Sequence, residues 1–252
     1  MHVVKFFTYP PKPYPYVIVN SNKPQFSMVK YAKEVIVDSG VEIFRNPNVK
    51  DYPRNHVNKM LKIYSHIKQF VRDVWIVVPD YPDDYHPKSL WIDEKRTNIE
   101  RTIDNILNYT EKYKNVNWII PVQGHNKKPE SIIRSINLLK EFGIIDKFDY
   151  FAIANLCVES DVEIMYRTIK LARENLRDKK LHVFGLRLNA LKKIYPLIDS
   201  FDSMAWTRPV DSSLNANFSC KNKEQRIRFF DRWLEKYLSI VNNNTLDNWL
   251  AP

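Results

Sequence analysis

Apolar residues along this chain fall into two alternating rhythms. Short, nearly unbroken apolar runs, such as Val74-Trp75-Ile76-Val77-Val78 and Tyr150-Phe151-Ala152-Ile153-Ala154, alternate with longer stretches in which apolar positions step by three and four. From Arg54 to Arg72 those steps are Val57, Met60, Leu61, Tyr64, Ile67 and Phe70, the one-sided stripe of an amphipathic helix. In chain order the runs predict strands at Val3–Phe7, Tyr16–Asn20, Glu34–Gly40, Val74–Asp80, Val116–Gly124, Tyr150–Leu156, Leu181–Leu186 and Ser200–Trp206. The stepped stretches predict helices over Arg54–Arg72, about Glu94–Tyr113, Pro129–Phe142, Asp161–Leu176, Asn189–Ile198 and Glu224–Leu238. Pro10, Pro11, Pro13 and Pro15 exclude a helix or an interior strand between the first two runs.

Near-continuous apolar strands alternating with helices imply a parallel sheet covered on both faces. Seven or eight such strands in 252 residues fit one α/β domain over 1–252, a TIM-type (β/α)8 barrel. Residues 1–33 then form a Pro-rich segment leading into the barrel, and a closing helix lies within 221–240. In such a barrel, chemistry gathers where the C-terminal ends of the strands converge on one mouth. Those ends carry Asp38, Asp80, Gln123, Asn155, Phe184 with Gly185, and Asp202 with Arg208. Each has a plainer reading on its own, since strand-end Asp residues cap turns and a Phe packs in a core.

Composition narrows the classes. At 44% hydrophobic and 27% charged residues, with no apolar run near the ~20 residues needed to span a bilayer, no membrane partner is expected. The N-terminal residues lack the apolar core of a secretory signal, which predicts a cytoplasmic chain, in a host cell if the source is viral. Cys157 and Cys220 are too few for a disulfide framework or a thiolate zinc site. A net charge of +10 is the footprint of a polyanion partner, although basic proteins without one are common. Glycine is scarce, with four residues where average usage would give roughly 18, and Gly40, Gly124 and Gly185 end or sit within apolar runs.

Read together, five segments resemble the motifs of the tRNA-guanine transglycosylase superfamily in order and spacing. They are Asp38-Ser39-Gly40, Val122-Gln123-Gly124, Ala154-Asn155-Leu156, Val183-Phe184-Gly185-Leu186-Arg187, and Phe201-Asp202-Ser203-Met204-Ala205-Trp206-Thr207-Arg208. The resemblance covers about residues 34–209. The family's zinc subdomain, a Cys-x-Cys-x-x-Cys with a distal His, has no counterpart here, because only one cysteine and no histidine follow Arg208. Glu42 and Ile43 stand where the family has an aromatic and a Gln. Phe201-Asp202-Ser203 with the nearby Trp206, and the missing zinc module, look closer to the zinc-less DNA 7-deazaguanine transglycosylases of phages and genomic islands, while Glu42 and Ile43 alter part of the base-stacking clamp.

The resemblance implies a guanine transglycosylase that exchanges guanine in a polynucleotide for a 7-deazaguanine base, with DNA the favoured polymer and tRNA the alternative. Base exchange with retention at C1′ needs a carboxylate nucleophile and a proton handler. By resemblance Asp202 is the nucleophile and Asp38 the general acid/base. Asp80 and Gln123 suit the Watson–Crick edge of a purine taken out of its stack, Gly124 belongs to the same motif, and backbone near Asn155 and Leu156 would face O6. Phe184, beside Gly185, either lies against the base or packs in the core. Arg208, Arg187 and His125 point to phosphate contact, with Lys127 and Lys128 on the neighbouring loop better read as a solvated helix start. Asp83, Asp84 and His86 resemble a metal cluster but lack a rigid frame, and the chemistry needs no metal and no cofactor. A homodimer or a partner subunit could supply the hold on the polynucleotide that the family's zinc subdomain gives. A catalytically silent nucleic-acid-binding relative, and a barrel hydrolase using Asp38 and Asp202 as its acid pair, stay open as alternatives.

Overall fold

A computed structural model describes residues 4–83, 97–125, 127–207 and 222–250, with the backbone alone over 243–250. Eight strands form one all-parallel sheet: β1 Lys5–Phe7, β2 Tyr16–Asn20, β3 Glu34–Asp38, β4 Asp73–Val77, β5 Trp118–Val122, β6 Tyr150–Ile153, β7 Lys180–Val183 and β8 Ser200–Asp202. Each of β2 to β7 pairs in parallel with the strand that follows it, and β8 pairs with β1. The remaining seam, between β1 and β2, is closed by the Thr8–Val17 bridge, with Thr8 N–H donating to the Tyr16 carbonyl at 3.3 Å and Ile18 N–H to the Thr8 carbonyl at 3.0 Å. The sheet is therefore a barrel of the TIM type.

Helices α1 His56–Ile67, α2 Asn98–Lys112, α3 Ile132–Glu141, α4 Ile144–Lys147, α5 Val162–Asn175, α6 Leu188–Ile194 and α7 Lys223–Leu250 follow or flank the later strands. They agree with the periodicity to within a few residues, apart from the short α4 and a longer α7. Their starts are chemically marked. Thr97 and Glu100 form a reciprocal capping box on α2, and Asp161 accepts from the backbone of Glu163 and Ile164 on α5.

The Pro-rich segment over 1–33 supplies β1 and β2, where the apolar runs Val3–Phe7 and Tyr16–Asn20 predict strands. No α-helix follows either one: prolines fill 8–15, and a single 3-10 turn at Val29–Tyr31 precedes β3. The far end of the chain covers the gap, because α7 lays Phe230, Trp233 and Tyr237 over β1 and β8. Trp233 lies 4.1 Å between ring centroids from Phe6, Phe230 meets Tyr14 edge-on at 5.4 Å, and the Tyr237 hydroxyl donates to the Val4 carbonyl. Burying one such aromatic contributes at most about 4–6 kcal/mol.

Alternate residues of the strands point inward and fill the barrel. Phe7, Ile18, Ile36, Val77, Ile119 and Ala152 belong to this inner cluster. Towards the N-terminal end the Lys5–Glu34 ion pair and Lys180, set over the rings of Trp75 and Tyr150 at 5.5 and 6.0 Å, plug the floor. A filled, plugged interior leaves the C-terminal mouth as the place for a site.

Candidate active site

Strand register brings the two carboxylates to one rim. Asp38 closes β3 opposite Asn20, and Asp202 closes β8 opposite Phe7. Asn20 Nδ2 lies 3.4 Å from Asp38 Oδ2, and the Gly40 N–H also donates to the Asp38 carboxyl. Those contacts do not keep the group acidic. Burial, and then the negative charges of Glu42, Asp202 and Asp80, hold the Asp38 carboxyl well above the usual carboxylate range.

Asp202 is held differently. Its Oδ1 accepts from the Gly185 N–H at 3.0 Å and lies 3.4 Å from Nε2 of His182, a fully buried residue of β7. Gly185 has φ +68, and a Cβ there would sit 2.8 Å from Cα of Cys157, so glycine is required for the donation.

Asp80, 2% exposed, lies just past β4 and joins this rim to the next strand end. Ser39 Oγ donates to its Oδ1 at 2.8 Å, and Gln123 Nε2 donates to its Oδ2. Among the described residues, Gln123 Oε1 and Asn155 Oδ1 are buried acceptors with no donor, on neighbouring strand ends. Asn155 packs against Gly124, where a Cβ would sit 2.8 Å from its Nδ2. Buried acceptors left unmatched are costly unless a ligand satisfies them.

Sequence reasoning missed the brace behind this rim. Tyr52 donates its hydroxyl to the Asp80 carbonyl at 2.9 Å and stacks on His56 at 4.4 Å. His56 Nε2 lies 2.8 Å from the Ser39 carbonyl, and burial lowers its pKa, so it stays neutral and donates. The only sequence signal is a Tyr and a His four apart at a helix entry. His182 was equally hidden, lying mid-strand in an apolar run.

The remaining expected residues divide. His125 Nδ1 pairs with Asp83 Oδ2 at 2.9 Å, and Asn98 donates to Asp83 Oδ1 at 3.0 Å, so Asp83 belongs to this trio. Asp84, His86, Arg208 and Cys220 lie outside the described residues. Arg187 is exposed at the start of α6, and Lys127, at φ +55, sits beside His125. Phe184 packs in the inner cluster, 4.7 Å from the His182 ring. The Leu156 side chain belongs to the outer core, so only its backbone is available to the mouth.

No protein-family model and no curated protein sequence matches this chain. Among solved structures, it is similar to CutC from Streptococcus agalactiae, a protein assigned to copper homeostasis, at 10% identity and a TM-score of 0.46 over 81% of this chain and 98% of that one. A likeness of that strength carries no argument, and the barrel stands on the strand pairing alone. No described helix is long and apolar enough to cross a membrane.

Proposed function

We propose that this protein is a base-exchanging transglycosylase that replaces guanine in a polynucleotide, DNA in preference to tRNA, with a 7-deazaguanine base. The observation that carries the reading is the asymmetry of the two rim carboxylates. Burial and its acidic neighbours push the Asp38 carboxyl well above the usual carboxylate range, which favours its protonated form, while Asp202 is fixed through one oxygen by a backbone N–H. One group is suited to give a proton and the other to form a bond.

In this reading an Asp202 carboxylate oxygen attacks C1′ as the C1′–N9 bond to guanine breaks, and the electron pair left on the base takes the Asp38 proton. The ionised Asp38 then removes the N9 proton of the incoming deazaguanine. That nitrogen attacks C1′, the bond to Asp202 breaks, and both carboxyl groups return to their starting states with retention at the sugar. Gln123 Oε1 and Asn155 Oδ1, buried acceptors lacking donors, suit the N–H and amino groups of a flipped purine, and Asp80 adds a negative acceptor. The choice of DNA follows the zinc-less resemblance, and the +10 charge suits either polymer.

Incubating the protein with labelled guanine and, separately, duplex DNA, single-stranded DNA and tRNA tests the reading. Label is expected in DNA and absent with Asp202→Ala or Asp38→Ala. Label in tRNA alone would replace the proposed substrate. No label in any polymer from folded protein would remove the stand-alone enzyme.

A further inference from the structure

A chain of buried polar groups runs from the barrel interior to the proposed nucleophile. Tyr150 Oη lies 2.7 Å from Ser200 Oγ, Ser200 Oγ lies 2.9 Å from His182 Nδ1, and His182 Nε2 lies 3.4 Å from Asp202 Oδ1. Tyr150, Ser200 and His182 are 3%, 1% and 0% exposed. The imidazole is walled by the edges or faces of Phe7 and Phe184 at 5.9 and 4.7 Å, so no water reaches it from those sides. A hydrophobic barrel centre has no packing need for three hydroxyl and imidazole groups. Burying them is costly unless they are joined in a satisfied network.

We propose that His182 is the positioning residue for Asp202: Tyr150 and Ser200 hold it as a neutral imidazole with its proton on Nε2, and that N–H is presented to Asp202 Oδ1. The proposal rests on the preceding reading only in giving Asp202 the nucleophile's role. Direction along the chain follows from counting protons. Ser200 has one hydroxyl hydrogen, so it can donate to Tyr150 or to His182 but not to both. Burial pushes the Tyr150 phenol far above its usual pKa, which keeps it protonated and able to donate to Ser200. Ser200 then donates to Nδ1, and the imidazole proton is left on Nε2, facing a carboxylate that can only accept.

Oδ1 of Asp202 accepts from the Gly185 N–H and has His182 Nε2 3.4 Å away, which leaves Oδ2 to attack C1′. The 3.4 Å separation is long and the orientation falls short of a hydrogen bond, since Nε2 lacks a partner by that criterion. A small rotation of the carboxylate as substrate arrives would close it, as catalytic hydrogen bonds commonly tighten on binding. A carboxylate left to rotate freely would misplace the attacking oxygen by about 1 Å, enough to cost on the order of 100-fold in rate.

The test is long-range proton–nitrogen NMR of the full-length, 15N-histidine-labelled protein at pH 7 without substrate. The His182 signals are assigned by their loss in His182→Gln or, if that variant does not fold, by their shift in Ser200→Ala. A neutral ring with the proton on Nε2, whose tautomer balance changes in Ser200→Ala and Tyr150→Phe, is the expected result. A ring protonated on Nδ1, or on both nitrogens, would overturn the proposal. In the guanine-exchange assay, kcat is expected to fall about 100-fold in His182→Leu at little-changed KM, with partial restoration in His182→Gln, whose amide nitrogen can stand where Nε2 stands. Folded His182→Leu with undiminished kcat would also overturn it. If the wild-type protein exchanges no base, the base-exchange reading fails and the tautomer alone decides this one.

Discussion

Ser39 donates its hydroxyl to Asp80 Oδ1 at 2.8 Å, so the residue that follows one rim carboxylate orients another. With Gln123 on the second oxygen, three strand ends are tied into one rigid wall. Removing the hydroxyl loosens Asp80 without touching the carboxyl group of Asp38 or Asp202. Ser39→Ala is expected to raise KM for guanine about 10- to 150-fold, in line with about 1.5–3 kcal/mol for a hydrogen bond to a charged group, and to change kcat little. Steady-state exchange kinetics at varied guanine check this.

Asp38→Asn separates stability from activity. The folded protein raises the pKa of this carboxyl above its unfolded value, so its contribution to stability is fully present below the ordinary carboxylate range and is lost as pH rises through the raised value. An amide has no charge to desolvate. Relative to wild type, Asp38→Asn is therefore expected to melt at progressively higher temperature as pH rises from 4 to 9, while guanine exchange is lost. Thermal melting across that range measures it, and a difference that shrinks with rising pH would contradict the assignment.

Gly185→Ala is expected to be destabilising and inactive together. Left-handed backbone costs a non-glycine residue about 1–2 kcal/mol, before the overlap with Cys157 is counted. For a domain of this size that lowers Tm by roughly 2–8 °C. Calorimetry reads the first effect, and loss of label incorporation by the protein still folded reads the second.

On the outer wall, Trp233→Ala is expected to lose about 3–5 kcal/mol and Tyr237→Phe about 1 kcal/mol, the first from a large cavity beside Phe6 and the second from one buried hydrogen bond to Val4. Urea unfolding of both variants compares them. Equal losses would mean that α7 is held by polar contacts more than by packing.

Strands and helices were legible because burial imposes period: β5 reads as an unbroken apolar run, and α1 as a stripe. Rim residues were legible because a barrel exposes its strand ends, so Asp38, Asp80, Gln123 and Asp202 could be picked out from position alone. The contacts that give those residues their character were not. His182 sits in an apolar run like any inward strand residue, and only closure of β7 against β8 reveals Asp202 above it and Ser200 beside it. Asp83 read as part of a local acidic cluster because neighbours in sequence are visible, whereas its partners His125 and Asn98 arrive from two other elements. The role of α7 was hidden for the same reason, since nothing in 8–15 announces which distant segment will shield β1.

That shielding sets a timetable for synthesis. Val4 and its hydrogen-bond partner Tyr237 are 233 positions apart, so at about 5–20 residues per second the first strand waits on the order of 10–50 s at the ribosome before its covering helix exists. Throughout that interval Phe6 and its neighbours present an uncovered apolar face. The nascent chain is most exposed to chaperone capture or aggregation along β1 until α7 covers it.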